Sequence, residues 1–200
     1  MKYVYLFGSN ITEGNATQSN ILGGKGANLA EMSNLNIPVP PGFTISTDVC
    51  NLFLEEKKIN QKIVTKIEKA LGLIEKNINK KLGDVKNPLL LSVRSGAKIS
   101  MPGMMETVLN IGLTTKTIPA LIKKTKNERF VYDSYRRLIM MYADVVMEKA
   151  TNKDSIKIRE KLELIIEKRK KERKINKDSD LSVDDLKEII KKFKTKIKRS

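Results

Sequence analysis

Across 200 residues, 39 Lys and Arg outnumber 23 Asp and Glu, giving a formal charge of +16, with no histidine and one cysteine. That composition excludes a disulfide framework, a metal site of nitrogen and sulfur ligands, and any histidine nucleophile or general base within this chain. No apolar run approaches the roughly 18 residues of a membrane span, and nothing marks a transit peptide, so the cytoplasm is the default compartment.

In chain order, the alternation of Tyr3, Tyr5 and Phe7 predicts a strand, and residues 10–19 are polar and read as a loop. Gly23-Gly24 then opens a helix expected to turn Leu29 and Met32 to the core. Pro38, Pro40 and Pro41 end it and lead into a strand at 43–45. Ser46 or Thr47 caps a short helix holding Cys50, Phe53 and Leu54, with the thiol buried among apolar neighbours. Ile63, Ile67, Ala70, Leu71, Ile74 and Ile78 recur at helical spacing and predict an amphipathic helix laid on a sheet. Residues 89–93, introduced by Asn87-Pro88, read as a short buried strand that delivers Arg94 to its carboxyl end.

A further short element starts between Glu106 and Leu109, and from Thr117 the pattern is helical. Phe130, Tyr135, Leu138, Ile139, Tyr142 and Val145 or Val146 keep one rhythm, and Ile158, Leu162 and Ile165 continue it. Residues 170–180 are a charged break. Ser182 with Asp185 then resembles a capping box ahead of Leu186, Ile189, Ile190, Phe193 and Ile197, an apolar face with nothing after it to pack on.

Three stretches carry candidate chemistry. After Arg94, Ser95-Gly96-Ala97 and Ser100-Met101-Pro102-Gly103 supply small residues and two glycines. A fixed cation beside flexible backbone N–H donors is how proteins hold phosphate; a strand and hairpin loop with an exposed arginine is the plainer alternative. Gly23-Gly24-Lys25-Gly26 sets Lys25 in flexible backbone ahead of a helix, where partial positive charge favours anions. Its spacing is not that of a P-loop, and on its own it reads equally as a surface turn with a solvated lysine. Met101, Met104 and Met105 form a soft apolar surface on a Gly/Pro loop, or ordinary core filler.

Residues 92–112 closely resemble the signature near the start of the pyruvate, phosphate dikinase family. Asn20-Ile-Leu-Gly-Gly-Lys-Gly-Ala-Asn-Leu-Ala-Glu-Met32 and Ile37-Pro-Val-Pro-Pro-Gly-Phe-Thr-Ile45 agree with it, and the similarity is dense to residue 150 and looser after it. The resemblance implies an α+β fold, the N-terminal portion of an ATP-grasp-type domain with a mixed sheet and a helical C-terminal half. Residues 1–115 would carry the phosphate-contacting loops, and residues 116–200 a helical, basic segment of the same domain.

The resemblance further implies that Lys25 and Arg94 contact ATP phosphates. A loop with Gly96, Met101, Gly103, Met104, Met105, Glu106 and Thr107 would cover them and meet a swivelling phosphohistidine domain. The implied reaction converts ATP, phosphate and pyruvate to AMP, diphosphate and phosphoenolpyruvate. Its carrier histidine and the Mg2+ ligands lie beyond residue 200, so this chain looks like the first part of a longer, homodimeric enzyme and is inactive alone. A phosphoenolpyruvate synthase is an alternative that the Ser100-Met-Pro-Gly-Met-Met segment argues against, and a non-catalytic basic nucleotide-binding module is another.

Half of the net charge falls in residues 151–200. Glu167 and Glu172 interrupt its basic run and no aromatic residues interleave to stack bases, so the charge speaks for non-specific affinity and not for a nucleic-acid role.

Overall fold

The computed structural model describes residues 2–8, 11–96, 107–147 and 158–198. The chain divides into two compact units, residues 1–81 with 94–106, and residues 82–93 with 107–200.

In the first unit β1 (Val4–Phe7) pairs antiparallel with β2 (Gly42–Ile45), Val4 opposite Ile45 and Phe7 opposite Gly42. The expected polar loop is tied down at both ends. The Glu13 and Leu6 backbones bond at 2.8 Å, the Glu13 carboxylate accepts the Leu6 N–H, and the Asn34 amide donates to the Gly14 carbonyl at 3.0 Å.

Helix α1 (Ser19–Asn34) packs on both strands through Leu22, Gly26, Ala27 and Ala30. Leu29 is half-buried, and Met32, expected in the core, is 38% exposed. At Gly26 the helix lies so close to β2 that a side chain would not fit without moving Thr44.

The next helix, α2 (Thr47–Glu56), turns Val49 inward. Cys50, Phe53 and Leu54 are exposed, so the expected buried thiol is corrected. The residues are helically spaced as read, but the inward side of the helix is the neighbouring one. In α3 (Gln61–Ile78), Ile63, Ala70 and Ile74 are buried against β1 and β2, with Ile67, Leu71 and Ile78 half-buried at the edge of the stripe.

The remaining strands are short: β3 (Lys81–Leu82) pairs β4 (Pro88–Leu89), and β5 (Leu91–Arg94) pairs β6 (Thr107–Ile111). Among the described residues the expected mixed sheet is thus three separate two-stranded sheets. Strands of two to five residues broken by turns cannot extend one ladder. The expected buried strand at 89–93 is buried only at its start, since Pro88 and Leu89 are covered and Val93 is 54% exposed.

In the second unit α4 (Ile118–Thr125) and α5 (Glu128–Tyr142) are followed by a π-helical turn, Ala143–Met147, then α6 (Ile158–Arg173) and α7 (Val183–Lys198). Val131, Tyr135 and Leu138 face inward from α5, whereas Phe130 and Tyr142 are exposed, a correction of the expected stripe by one position at its start. The charged break is shorter than expected, because α6 runs to Arg173.

The capping box forms as read. The Asp185 N–H donates to Ser182 Oγ at 3.2 Å and the Ser182 N–H to Asp185 Oδ2 at 3.1 Å. The apolar face of α7 is not left bare: Leu186, Ile189, Ile190 and Phe193 are buried between α5 and α6. Among the described residues no helix is long and apolar enough to cross a membrane.

Candidate functional site

Two motifs far apart in sequence meet within the first unit. At Gly23, α1 leaves helical geometry, with φ 68° and ψ 162°. That region is open essentially to glycine alone. The helix restarts behind it, so Gly24, Lys25 and Gly26 form a new first turn, where backbone N–H groups lack intrahelical partners and partial positive charge collects. Lys25 is half-buried there.

The α-carbon of Gly23 rests on the peptide of Gly96. A Cβ added at Gly23 would sit 2.9 Å from the Gly96 carbonyl oxygen and 3.1 Å from its α-carbon. On the other side of Lys25, a Cβ at Gly26 would lie 2.7 Å from Thr44 Cγ2 on β2. The turn is therefore seated between the sheet and the segment that follows β5. Lys25 is two residues from this contact and Arg94 is two residues from it, so their Cα atoms are within about 20 Å along that path.

Arg94 ends β5 and is exposed, as are Ser95 and Gly96. Its charge is uncommitted in a way that no other described arginine shares. Arg129 donates to the carbonyls of Leu181 and Asp178. Arg136 holds Asp133 at 2.7 Å and Asp178 at 3.2 Å, and Arg137 also reaches Asp133. Arg159 pairs with Asp144, and Arg169 and Arg173 with Asp185. Among the described residues neither Arg94 nor Lys25 has a carboxylate partner.

The paired arginines leave their mark on the carboxylates. Burial pushes the Asp185 carboxyl up, but hydrogen bonds from Arg173, Ser182 and Arg169 outweigh it and hold the group far below the usual carboxylate range. Burial opposes ionisation of Asp133 too, and Arg136 and Arg137 hold it low. These cations are spent on the fold. Those at 25 and 94 remain available to an external anion.

Thr107 opens β6, belongs to the second unit and is half-buried. Met101, Gly103, Met104, Met105 and Glu106 lie outside the described residues. A shallow cavity of about 250 Å³ in the second unit, lined by Tyr135, Leu138, Tyr142 and Lys194 among others, contains none of the expected site residues.

The arrangement suits binding and charge neutralisation: an ammonium, a planar guanidinium and the N–H groups of a restarted helix. Among the described residues no group of three or more His, Cys, Asp or Glu side chains is placed to hold a metal ion. The residue that sequence reasoning missed is Gly23 as a contact. The doubled glycine was the signal, but a contact with Gly96 is non-local and leaves no periodic trace.

Residues 19–72 match the family model described as "Pyruvate phosphate dikinase, AMP/ATP-binding domain". The whole chain is 48% identical over 200 residues to the pyruvate, phosphate dikinase of Clostridium symbiosum, of which it covers 22%. It is 47% identical over 196 residues, 97% of its length, to the chloroplastic pyruvate, phosphate dikinase 1 of Arabidopsis thaliana, covering 19% of that protein. With the pyruvate, phosphate dikinase of Rickettsia conorii the identity is 44% over 194 residues, which is 96% of this chain and 21% of that protein. The chain thus spans about a fifth of the length of these relatives.

Proposed function

We propose that the chain belongs to the pyruvate phosphate dikinase AMP/ATP-binding family, whose model its residues 19–72 match, and that it holds ATP by its phosphates as the nucleotide-binding part of such a phosphotransferase. Lys25 and Arg94 contact the phosphates. The loop with Gly96, Met101, Gly103, Met104, Met105, Glu106 and Thr107 covers them. The observation that supports this most directly is the backbone contact between Gly23 and Gly96, which sets the Lys25 turn beside the segment leaving Arg94.

In this proposal the fold is of the ATP-grasp type, with the loops of residues 1–115 and the basic helices of 116–200 in one domain. The terminal diphosphoryl group of ATP passes to a histidine on a swivelling domain and leaves AMP; inorganic phosphate takes the outer phosphoryl group as diphosphate, and the one left on the histidine passes to pyruvate as phosphoenolpyruvate. This chain has no histidine, so its part is positioning and charge neutralisation, and alone it does not turn over. Mg2+ accompanies the nucleotide and is ligated outside this chain. The working enzyme is a cytoplasmic homodimer.

Titrating the chain with MgATP and following backbone amide resonances tests the reading. Saturable shifts at Gly24, Lys25 and Gly96 that survive 0.2 M salt, a level at which purely ionic polyanion binding collapses, are the expected result. Shifts spread over the lysine-rich helices and erased by salt would contradict it, and would favour a basic module that binds polyanions without selectivity.

A further inference from the structure

We propose that Gly23 is a positioning residue: its bare α-carbon seats the Gly96 peptide on the Lys25 turn, so that the two segments open and close as one body. The proposal rests on the phosphate-holding reading of Lys25 and Arg94, and names what keeps those two cations in register.

Two features of Gly23 combine. Its φ of 68° with ψ of 162° breaks α1 and creates the restarted helix end. The side on which a Cβ would project is filled by the carbonyl oxygen, carbonyl carbon and α-carbon of Gly96, all within 3.1 Å of the added atom. These obstacles are backbone, so no rotamer change relieves them. A Cβ at Gly26, at the far side of Lys25, would meet the Thr44 side chain first. The Lys25 turn is therefore fixed to β2 through a side chain that can yield, and to the segment after Arg94 through backbone that cannot. An alanine at Gly23 would separate Gly96 from the turn without altering a single charge.

Gly83 provides a control. Its φ is 78°, yet a Cβ there would meet nothing within 4 Å. Gly83→Ala thus places a side chain at positive φ with no contact to lose.

The test is residue-resolved amide exchange of the chain, with and without MgATP. In Gly23→Ala, amides at 24–26 and at 95–96 should exchange faster together, by about tenfold or more, and MgATP affinity should fall by about tenfold. Gly83→Ala should leave both segments at wild-type rates. Acceleration at 24–26 alone, with 95–96 unchanged, overturns the proposal. Should Gly23→Ala not fold, native-state exchange of the unaltered chain makes the same test. One shared denaturant dependence for both segments supports coupling, and independent slopes overturn it. Coupled exchange with no response to MgATP would contradict the proposed function and leave the positioning of Gly96 standing.

Discussion

Gly23 and Gly96 touch through backbone alone, the added Cβ of the one lying 2.9 Å from the carbonyl oxygen of the other. The contact joins a helix break to the segment that leaves Arg94, and it needs glycine at 23 for two reasons at once, conformation and space. Around it the fold uses its arginines for structure, while Arg94 and Lys25 keep no carboxylate partner among the described residues.

The α3 stripe makes the first prediction. Ile74 is 3% exposed and Ile67 is half-buried at the edge. Ile74→Ala should cost about 2–5 kcal/mol in urea unfolding, the range for a buried aliphatic truncation, and Ile67→Ala distinctly less. Equal losses would mean that the two isoleucines share one environment.

Ser46 reverses an ordinary rule. It occupies the N-cap of α2, where Ser→Ala substitution commonly costs about 1 kcal/mol. Its side chain makes no capping bond, and its buried Oγ has no partner among the described residues. Ser46→Ala removes an unsatisfied hydroxyl and should be neutral or stabilising by up to about 1 kcal/mol. A loss of a full kcal/mol in the unfolding free energy would show a cap bond in solution.

How much of this was legible in the sequence depends on whether the signal was local. The α3 stripe and the Ser182–Asp185 box are written within one or two turns of chain, and both form as read. Periodicity fixes the angle between side chains but not which side of a helix looks inward. Hence Met32 and Cys50 were placed inside and lie outside. In α1 the inward position at Gly26 is set by the closeness of β2 and not by hydrophobicity. Strand pairing is non-local, so three small sheets could not be told from one. Lys25 and Arg94 were found through motif resemblance, and the contact that brings their segments together appeared only in three dimensions.

Asp185 sets a pH signature. Its folded pKa is lowered, so its contribution is complete above the ordinary aspartate value of about 3.9 and is lost as pH falls through the lowered value. Asp185→Asn should therefore cost about 3 kcal/mol at pH 7, since Arg169 and Arg173 lose a buried partner. Below pH 4 the gap to wild type should narrow. Thermal melts showing a constant gap from pH 7 to pH 3 would contradict the ion-pair account.

The central claim is that Arg94 and Lys25 hold ATP phosphates. It is tested most directly by grafting this chain in place of its counterpart in the Clostridium symbiosum relative and measuring single-turnover AMP formation from ATP. Arg94→Lys keeps the charge but loses the planar fork that grips phosphate oxygens, and Lys25→Ala removes a charge outright. Each should slow AMP formation about 10- to 150-fold at unchanged melting temperature, the effect of losing one charge-assisted contact. Wild-type rates in both folded variants would contradict the account and remove these two residues from the site.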